Sequence, residues 1–129
     1  MNTQEREALV KSYLGKTVTI EIDRPIGYVH WKKGRENPLV YPINYGYIPG
    51  VLGGDGEELD VYLIGVEHPV ERYTGRIVGI VYRLDDVEDK LIMAPFDRSF
   101  GKEEIERAIH FQEMYYHTRV EAWCESNDE

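Results

Sequence analysis

Cysteine, long apolar runs and basic residues are all scarce in this sequence. A single cysteine, Cys124, excludes an intramolecular disulfide and a metal site built from several thiolates. No uninterrupted apolar stretch approaches the roughly 18 residues that a membrane-spanning helix requires. The first residues also lack the basic start and apolar run of a signal peptide. We therefore expect a cytoplasmic protein without a membrane partner.

The shortage of basic residues limits the choice of partners. Fifteen Lys and Arg residues stand against 24 Asp and Glu residues, which gives a formal net charge of −9. Nucleic-acid-binding proteins gain most of their affinity from Lys and Arg side chains that neutralise phosphates, so we expect no nucleic-acid partner. An acidic protein can still bind an anionic substrate where metal cations lie between the two.

Two stretches have the apolar spacing of helices. Residues 3–14 carry apolar side chains at helical intervals and are followed by Gly15, which predicts a helical extension over residues 1–15. Residues 102–117 follow Gly101, an acceptable N-cap, and begin with acidic residues that favour the positive end of a helix dipole. This second stretch predicts a C-terminal helix.

Apolar alternation with a period of two predicts strands over residues 17–23 and 59–66, and residues 76–83, 90–94 and 118–123 are predicted as three more short strands. Residues 28–40 are typical of a loop or a loosely paired hairpin, and residues 39–56, rich in Tyr, Pro and Gly, predict a rigid, turning segment. Closing a sheet removes exposed strand edges in a chain this short. We therefore predict a mainly β (α+β) fold, a small closed five-stranded OB-like β-barrel, in a single domain over residues 1–129.

The segment GGDGEELDV, residues 53–61, combines acidic residues with glycines. The glycines let the backbone bend, so the carboxylates of Asp55, Glu57 and Asp60 can converge, and hard oxygen ligands suit Mg²⁺ or Mn²⁺. The EF-hand pattern is excluded because its sixth position requires Gly, and this chain has Asp60 there. An isolated Asp-Gly turn, however, is more typical of a polar turn before a buried strand.

A second acidic group precedes Lys90 and contains Asp85, Asp86, Glu88 and Asp89. Such a group alone is more typical of a solvated hairpin tip than of a functional site. If the barrel brings both acidic groups together, their mutual repulsion is tolerable only with bound cations or raised pKa values. The pair of groups thus predicts a divalent metal site.

Three tyrosines lie in the segment YPINYGY, residues 41–47. Such side chains can pack in a core while their hydroxyl groups reach a polar pocket. For Tyr47 we favour the core role, and for Tyr41 and Tyr45 a core role and a site role are equally supported.

The run YPINYGYIPGVLGGDGEELDVYL, residues 41–63, closely resembles the signature of the soluble inorganic pyrophosphatases. In that family a YPxNYGY segment leads into an acidic DGDPxDV motif, in the same order and at the same distance. The similarity continues through residues 75–95 and into residues 109–115, which look like the HFxxxY helix of the family. It covers roughly residues 21–123.

The resemblance implies hydrolysis of pyrophosphate with Mg²⁺, or Mn²⁺, in a homo-oligomer. It implies that the metal ligands are Asp55, Asp60, Asp85, and Asp89 or Glu88, with Glu21 beside the metals. Glu57 would orient or deprotonate the attacking water. The implied phosphate contacts are Lys90, Tyr45, Tyr115, the nearby Tyr41, and a cation from the segment that contains Lys33 and Arg35.

Several positions depart from the family pattern. The second Asp of the motif is Glu57 here and its Pro is Glu58, while Tyr116 replaces the Lys that follows the helix tyrosine. A family Lys and Glu after Glu21 have no clear counterpart, and the family's upstream Arg matches residues 32–35 only loosely. Fewer cations therefore face the substrate. Two alternatives stay open: hydrolysis of another phosphoanhydride, such as a nucleotide or diphosphate metabolite, and a non-catalytic barrel that binds metal or a partner protein.

Overall fold

The computed structural model of the chain describes residues 1–124. Within them lie ten elements: α1 (Thr3–Lys11), β1 (Thr17–Arg24), β2 (Val29–His30), β3 (Leu39–Val40), β4 (Asn44–Leu52), β5 (Glu58–Leu63), β6 (Arg72–Arg83), β7 (Lys90–Ala94), α2 (Lys102–Glu113) and β8 (Thr118–Ala122). No helix in this part of the chain is both long and apolar enough to cross a membrane.

Five strands close into a barrel. Their order is β1-β4-β5-β7-β6, and β6 pairs back with β1 over the register Thr17↔Arg76 to Glu21↔Arg72. The strand β8 pairs antiparallel with β6 outside this ring, and β2 pairs with β3 as a separate two-stranded hairpin. The prediction of a closed five-stranded barrel flanked by two helices is confirmed, although β4 takes the place in the ring that we expected for the last strand.

The strand β4 is the main correction to the sequence-based prediction, which treated residues 39–56 as a turning segment. Its alternation is interrupted by Gly46 and Pro49, so the pattern of a strand is hidden. Gly46 is required because a Cβ there would lie only 1.9 Å from the backbone oxygen of Glu21 on the neighbouring β1. A register shift between Tyr47 and Leu52 then bends the strand.

Both helices are shorter than predicted. The helix α1 ends at Lys11 rather than at residue 14, yet Val10 is 1% exposed and packs in the barrel core. The helix α2 ends at Glu113 rather than at residue 117, and its buried Ile105 and Ile109 pack against the outside of the sheet. The early end of α2 leaves residues 114–117 in a turn that reaches the site described next.

Candidate active site

A polar cavity of about 240 Å³ collects charged side chains from both halves of the sequence. Its basic lining residues are Arg24, His30, Lys32, Arg35, Arg83 and Lys90, and its acidic lining residues are Asp23, Asp60 and Glu88. Tyr45, Tyr116 and Gln112 complete its polar wall. A cavity with this composition can bind an anion next to carboxylates.

The ion pair between Lys90 and Asp60 lies at the centre of this lining. Strands β5 and β7 run parallel with Val61 opposite Leu91, so the residues just before this pair are neighbours. The Lys90 Nζ atom donates a hydrogen bond of 3.0 Å to Asp60 Oδ2. The Lys90 side chain is only 3% exposed, whereas that of Asp60 is 32% exposed. The ammonium group is therefore held in place by the sheet.

Tyr45 lies beside this ion pair, with its ring centroid 5.6 Å from Lys90 Nζ. Burial raises its pKa well above the ordinary value of a tyrosine, and the negative charge of Asp60 raises it further. The hydroxyl group therefore stays protonated at neutral pH. It can donate a hydrogen bond to an anionic oxygen in the cavity.

Arg24, at the end of β1, is a cavity residue that the sequence analysis did not identify. Its Nη1 atom donates a hydrogen bond to the hydroxyl of the buried Tyr41, 2.5 Å away, and its guanidinium lies 5.5–5.6 Å from the ring centroids of Tyr28, Tyr41 and Tyr45. A register shift between Ile22 and Arg24 places Arg24 opposite Tyr45, on the other face of β1 from the apolar residues 18, 20 and 22. Simple alternation therefore gives no signal for this residue.

Asp23 is a second cavity residue that sequence reasoning missed. Partial loss of solvent raises the pKa of its carboxyl group, and the charges of Asp60 and Glu58 act in the same direction. The neighbouring Arg24 opposes this shift. The raised pKa of Asp23 thus reports mainly its partial burial, with a smaller contribution from the neighbouring carboxylates.

The two acidic groups of the sequence meet in a narrow crevice beside the cavity. Its acidic lining residues are Asp55, Glu58, Asp60, Glu88 and Asp89, and its volume is about 10 Å³. Asp60 and Glu88 also line the larger cavity, so the two spaces adjoin. The convergence expected of Asp55 and Asp60 with Glu88 and Asp89 is thus present in the fold.

The donor chemistry of the crevice fits a hard divalent cation, because it is built from carboxylate oxygens. In residues 1–124, however, no three His, Cys, Asp or Glu side chains are already grouped as a metal site. Side-chain cations hold some of the acids: Lys90 contacts Asp60, and Arg6 contacts Asp89. Lys90 contacts one oxygen of Asp60, Oδ2, so the carboxylate keeps lone-pair sites for a metal ion.

Three other residues that the sequence predicts for the site line neither the cavity nor the crevice. The Asp85 carboxylate accepts a hydrogen bond from the His117 backbone N–H at 3.1 Å, which lowers the pKa of Asp85. Glu21 Oε2 lies 2.6 Å from Arg72 Nε. Glu57 is exposed, and its backbone N–H donates to Asp55 Oδ1.

The hairpin β2–β3 supplies the basic segment predicted at residues 32–35. Lys32 Nζ donates to the Tyr116 hydroxyl at 2.8 Å, and the Arg35 guanidinium lies 3.7 Å from the Tyr115 ring centroid. Lys32 and Arg35 line the cavity, whereas Lys33 is exposed. The hairpin thereby connects to the turn after α2.

The closed barrel is of the OB-like kind, and it matches solved inorganic pyrophosphatase structures. The one from Ehrlichia chaffeensis superposes with a TM-score of 0.63 at 21% identity, covering 84% of this chain and 87% of that one. The family model described as inorganic pyrophosphatase matches residues 9–127. The chain belongs to the inorganic pyrophosphatase family.

Curated relatives differ in how much of their length the chain spans. The inorganic pyrophosphatase of Corynebacterium glutamicum is 30% identical over 125 residues, covering 84% of this chain and 79% of the relative. Inorganic pyrophosphatase 2 of Pseudomonas syringae pv. tomato is 34% identical over 86 residues, covering 63% of this chain. The chain spans about half, 47%, of that relative. Membership of the family implies a divalent metal cofactor.

Proposed function

We propose that the protein hydrolyses inorganic pyrophosphate to two phosphate ions with Mg²⁺ as cofactor. The observation that carries this proposal is the shared wall of the two spaces: Asp60 and Glu88 line both the acidic crevice and the cation-lined cavity. A cation held in the crevice would border the space in which basic side chains collect an anion. This is the arrangement that phosphoryl transfer requires.

In this proposal Asp55, Asp60 and Glu88 would hold the metal, which Mn²⁺ could replace. Bound Mg²⁺ supplies charge neutralisation and lowers the pKa of coordinated water from the bulk value of about 15.7. The family resemblance also implies Asp85 and Glu21 as contributors, and it implies Asp89 only as the alternative to Glu88. In the fold Asp85, Glu21 and Asp89 contact His117, Arg72 and Arg6 respectively.

The basic side chains of the cavity would bind the two phosphoryl groups. Lys90 is buried and fixed by β7, while Arg24 is held by Tyr41, so both charges are positioned before the substrate arrives. Arg35 and Lys32 would close the other side from the hairpin, with Tyr115 next to Arg35. Tyr45 would donate a hydrogen bond from its hydroxyl group to a phosphoryl oxygen.

Glu57 would orient the attacking water or accept its proton. The support is its place in the sequence motif and on the exposed turn next to Asp55, which lines the crevice, although Glu57 itself is not a lining residue. Lys90 would neutralise the phosphate that leaves, because its ammonium group lies beside Asp60 at the boundary of the two spaces.

Release of phosphate from pyrophosphate, with and without Mg²⁺, tests the proposal. We expect metal-dependent release, and its loss in Asp60→Asn, with the exposed Asp97→Asn as a matched control that keeps activity. Full activity of Asp60→Asn would contradict the assignment of that ligand. The same assay with a nucleoside triphosphate and a diphosphate metabolite separates pyrophosphate from other phosphoanhydrides. Metal binding without release from any substrate would favour a non-catalytic barrel.

We also propose that the chain forms one domain, acts in the cytoplasm and assembles into a homo-oligomer. The support is the family resemblance for assembly and the sequence expectations for the rest. Light scattering on the purified protein tests assembly directly, and a mass equal to one chain would contradict it.

A further inference from the structure

Arg6 of α1 contacts the predicted ligand Asp89 directly. Arg6 Nε lies 3.2 Å from Asp89 Oδ2, and Arg6 Nη2 donates to Asp89 Oδ1 at 3.3 Å. The two side chains are 12% and 4% exposed. A guanidinium that contacts both oxygens of a carboxylate away from solvent is a strong, geometrically specific partner.

The Asp89 carboxylate has little capacity left for another ligand. Its Oδ1 atom also accepts the backbone N–H of Arg83 at 2.8 Å, so its two oxygens accept three hydrogen bonds in all. A carboxylate offers about four lone-pair sites. A metal ion at Asp89 would have to displace the guanidinium.

The stem of Arg6 lies between the two acidic turns. A Cβ at Gly54 would come within 2.7 Å of Arg6 Cδ and within 2.6 Å of the backbone oxygen of Val87. Gly54 therefore lets the arginine side chain pass close to the backbone of the first turn on its way to the second. The contact depends on this glycine.

The helix that carries Arg6 is anchored at both ends. Asn2 and Glu5 form a capping box with two hydrogen bonds of 2.8 Å, which fixes the first turn. Val10, near the other end, is buried in the barrel core. Because α1 is fixed at both ends, the Arg6 guanidinium is held in a defined position at the crevice.

We propose that Arg6 is a built-in counter-ion that takes the place of a divalent cation at Asp89. The crevice then binds metal through Asp55, Asp60 and Glu88, and removal of the arginine opens one more cation position. This inference rests on the proposed function, because it concerns the metal complement of the same crevice.

Calorimetric titration with Mn²⁺ tests the inference on the wild-type chain and on Arg6→Met, which keeps an apolar stem over Gly54. We expect about one additional Mn²⁺ per chain in Arg6→Met, or roughly tenfold tighter binding. Arg119→Met is the matched control, since Arg119 also pairs with α1, through Glu7 at 3.7 Å, on the surface. Asp89→Asn added to Arg6→Met should remove the gain.

The possible outcomes distinguish failure of the inference about Arg6 from failure of the proposed function. Equal Mn²⁺ binding by wild type and a folded Arg6→Met overturns the inference and leaves the proposed function intact. Binding by Arg6→Met alone supports the inference and contradicts a metal site in the wild-type crevice, and binding by neither overturns both. If Arg6→Met does not fold, Asp89→Asn alone decides, since its amide oxygen still accepts the Arg83 N–H. Unchanged Mn²⁺ affinity supports the inference, and lost affinity overturns it.

Discussion

Glu113, at the end of α2, accepts two hydrogen bonds from Arg83 of β6, at 2.6 Å to Nε and 2.9 Å to Nη2. Both residues are buried, and the Tyr62 hydroxyl donates a hydrogen bond to the same carboxylate. Arg83 also stacks 3.6 Å from the Tyr116 ring centroid and lines the cavity. One carboxylate thus fixes a wall of the proposed site to the barrel.

We predict that Glu113→Gln destabilises the protein by about 3 kcal/mol, because it removes the buried counter-charge of Arg83 and leaves the guanidinium paired with the more exposed Asp86, 2.8 Å from Nη1. Urea unfolding followed by circular dichroism measures the change. Glu106→Gln, on the exposed face of the same helix, is the control and should change stability by no more than about 0.5 kcal/mol. A similar effect of both variants would contradict the structural importance of the buried pair.

Arg24 leads to a prediction about substrate binding. Arg24→Met should lower kcat/KM for pyrophosphate about 100-fold through the loss of a positioned charge at the phosphoryl groups. Tyr41→Phe should give a smaller loss, since it keeps the charge of Arg24 and removes the hydrogen bond that holds the guanidinium, together with the one that Tyr41 donates to Gln112. Steady-state phosphate release gives both values. Unchanged kinetics in a folded Arg24→Met would remove the residue from the proposed site.

Gly46 provides a test of barrel closure. Gly46→Ala places a Cβ 1.9 Å from the Glu21 backbone oxygen, so β1 and β4 must separate. We expect a loss of more than about 4 kcal/mol, or no folded protein, measured by thermal unfolding. The nearest atom to a Cβ at Gly101 is 3.6 Å away, so Gly101→Ala should change stability by about 1 kcal/mol at most.

Asp23 and Asp85 should respond oppositely to pH in metal-free protein. The folded-state pKa of Asp23 is raised, so its destabilising effect develops as pH rises, and Asp23→Asn should raise Tm at pH 7. The folded-state pKa of Asp85 is lowered, so its stabilising effect is present above the ordinary Asp value, and Asp85→Asn should lower Tm at pH 7. Both differences should shrink as pH falls below the ordinary Asp pKa of about 3.9. Tm measured from pH 3 to 7 checks both signs.

The sequence predicts most of the barrel because period-two alternation survives in β1 and β5, while β7 is a short run that is apolar after Lys90 and buried throughout. It does not predict β4, where Gly46 and Pro49 replace the apolar alternation by backbone requirements that only the neighbouring strand explains. The β6 strand starts at Arg72 rather than at residue 76, and the added residues pair with β1 to close the ring. Such long-range pairing leaves little trace in local sequence.

The sequence likewise predicts only part of the candidate site. The spacing of Asp55 and Asp60 predicts one acidic turn, and the residues before Lys90 predict the other, so their convergence could be expected. The position of Arg24 could not be predicted from alternation, because the bulge between Ile22 and Arg24 turns it to the other face of β1. The pairing of Asp89 with Arg6 could not be predicted either, because 83 residues separate them and only the docking of α1 brings them together.

Because β5 and β7 pair in a fixed parallel register, the position of Lys90 does not depend on the length of the turn before it. Val61 lies opposite Leu91, and this pairing alone puts the ammonium group next to Asp60. Residues can therefore be inserted or lost between β6 and β7 while Lys90 keeps its position in the sheet. Under the proposed function, evolution or design can therefore remodel the acidic turn, and with it the metal preference, while Lys90 stays in place to contact the phosphoryl group.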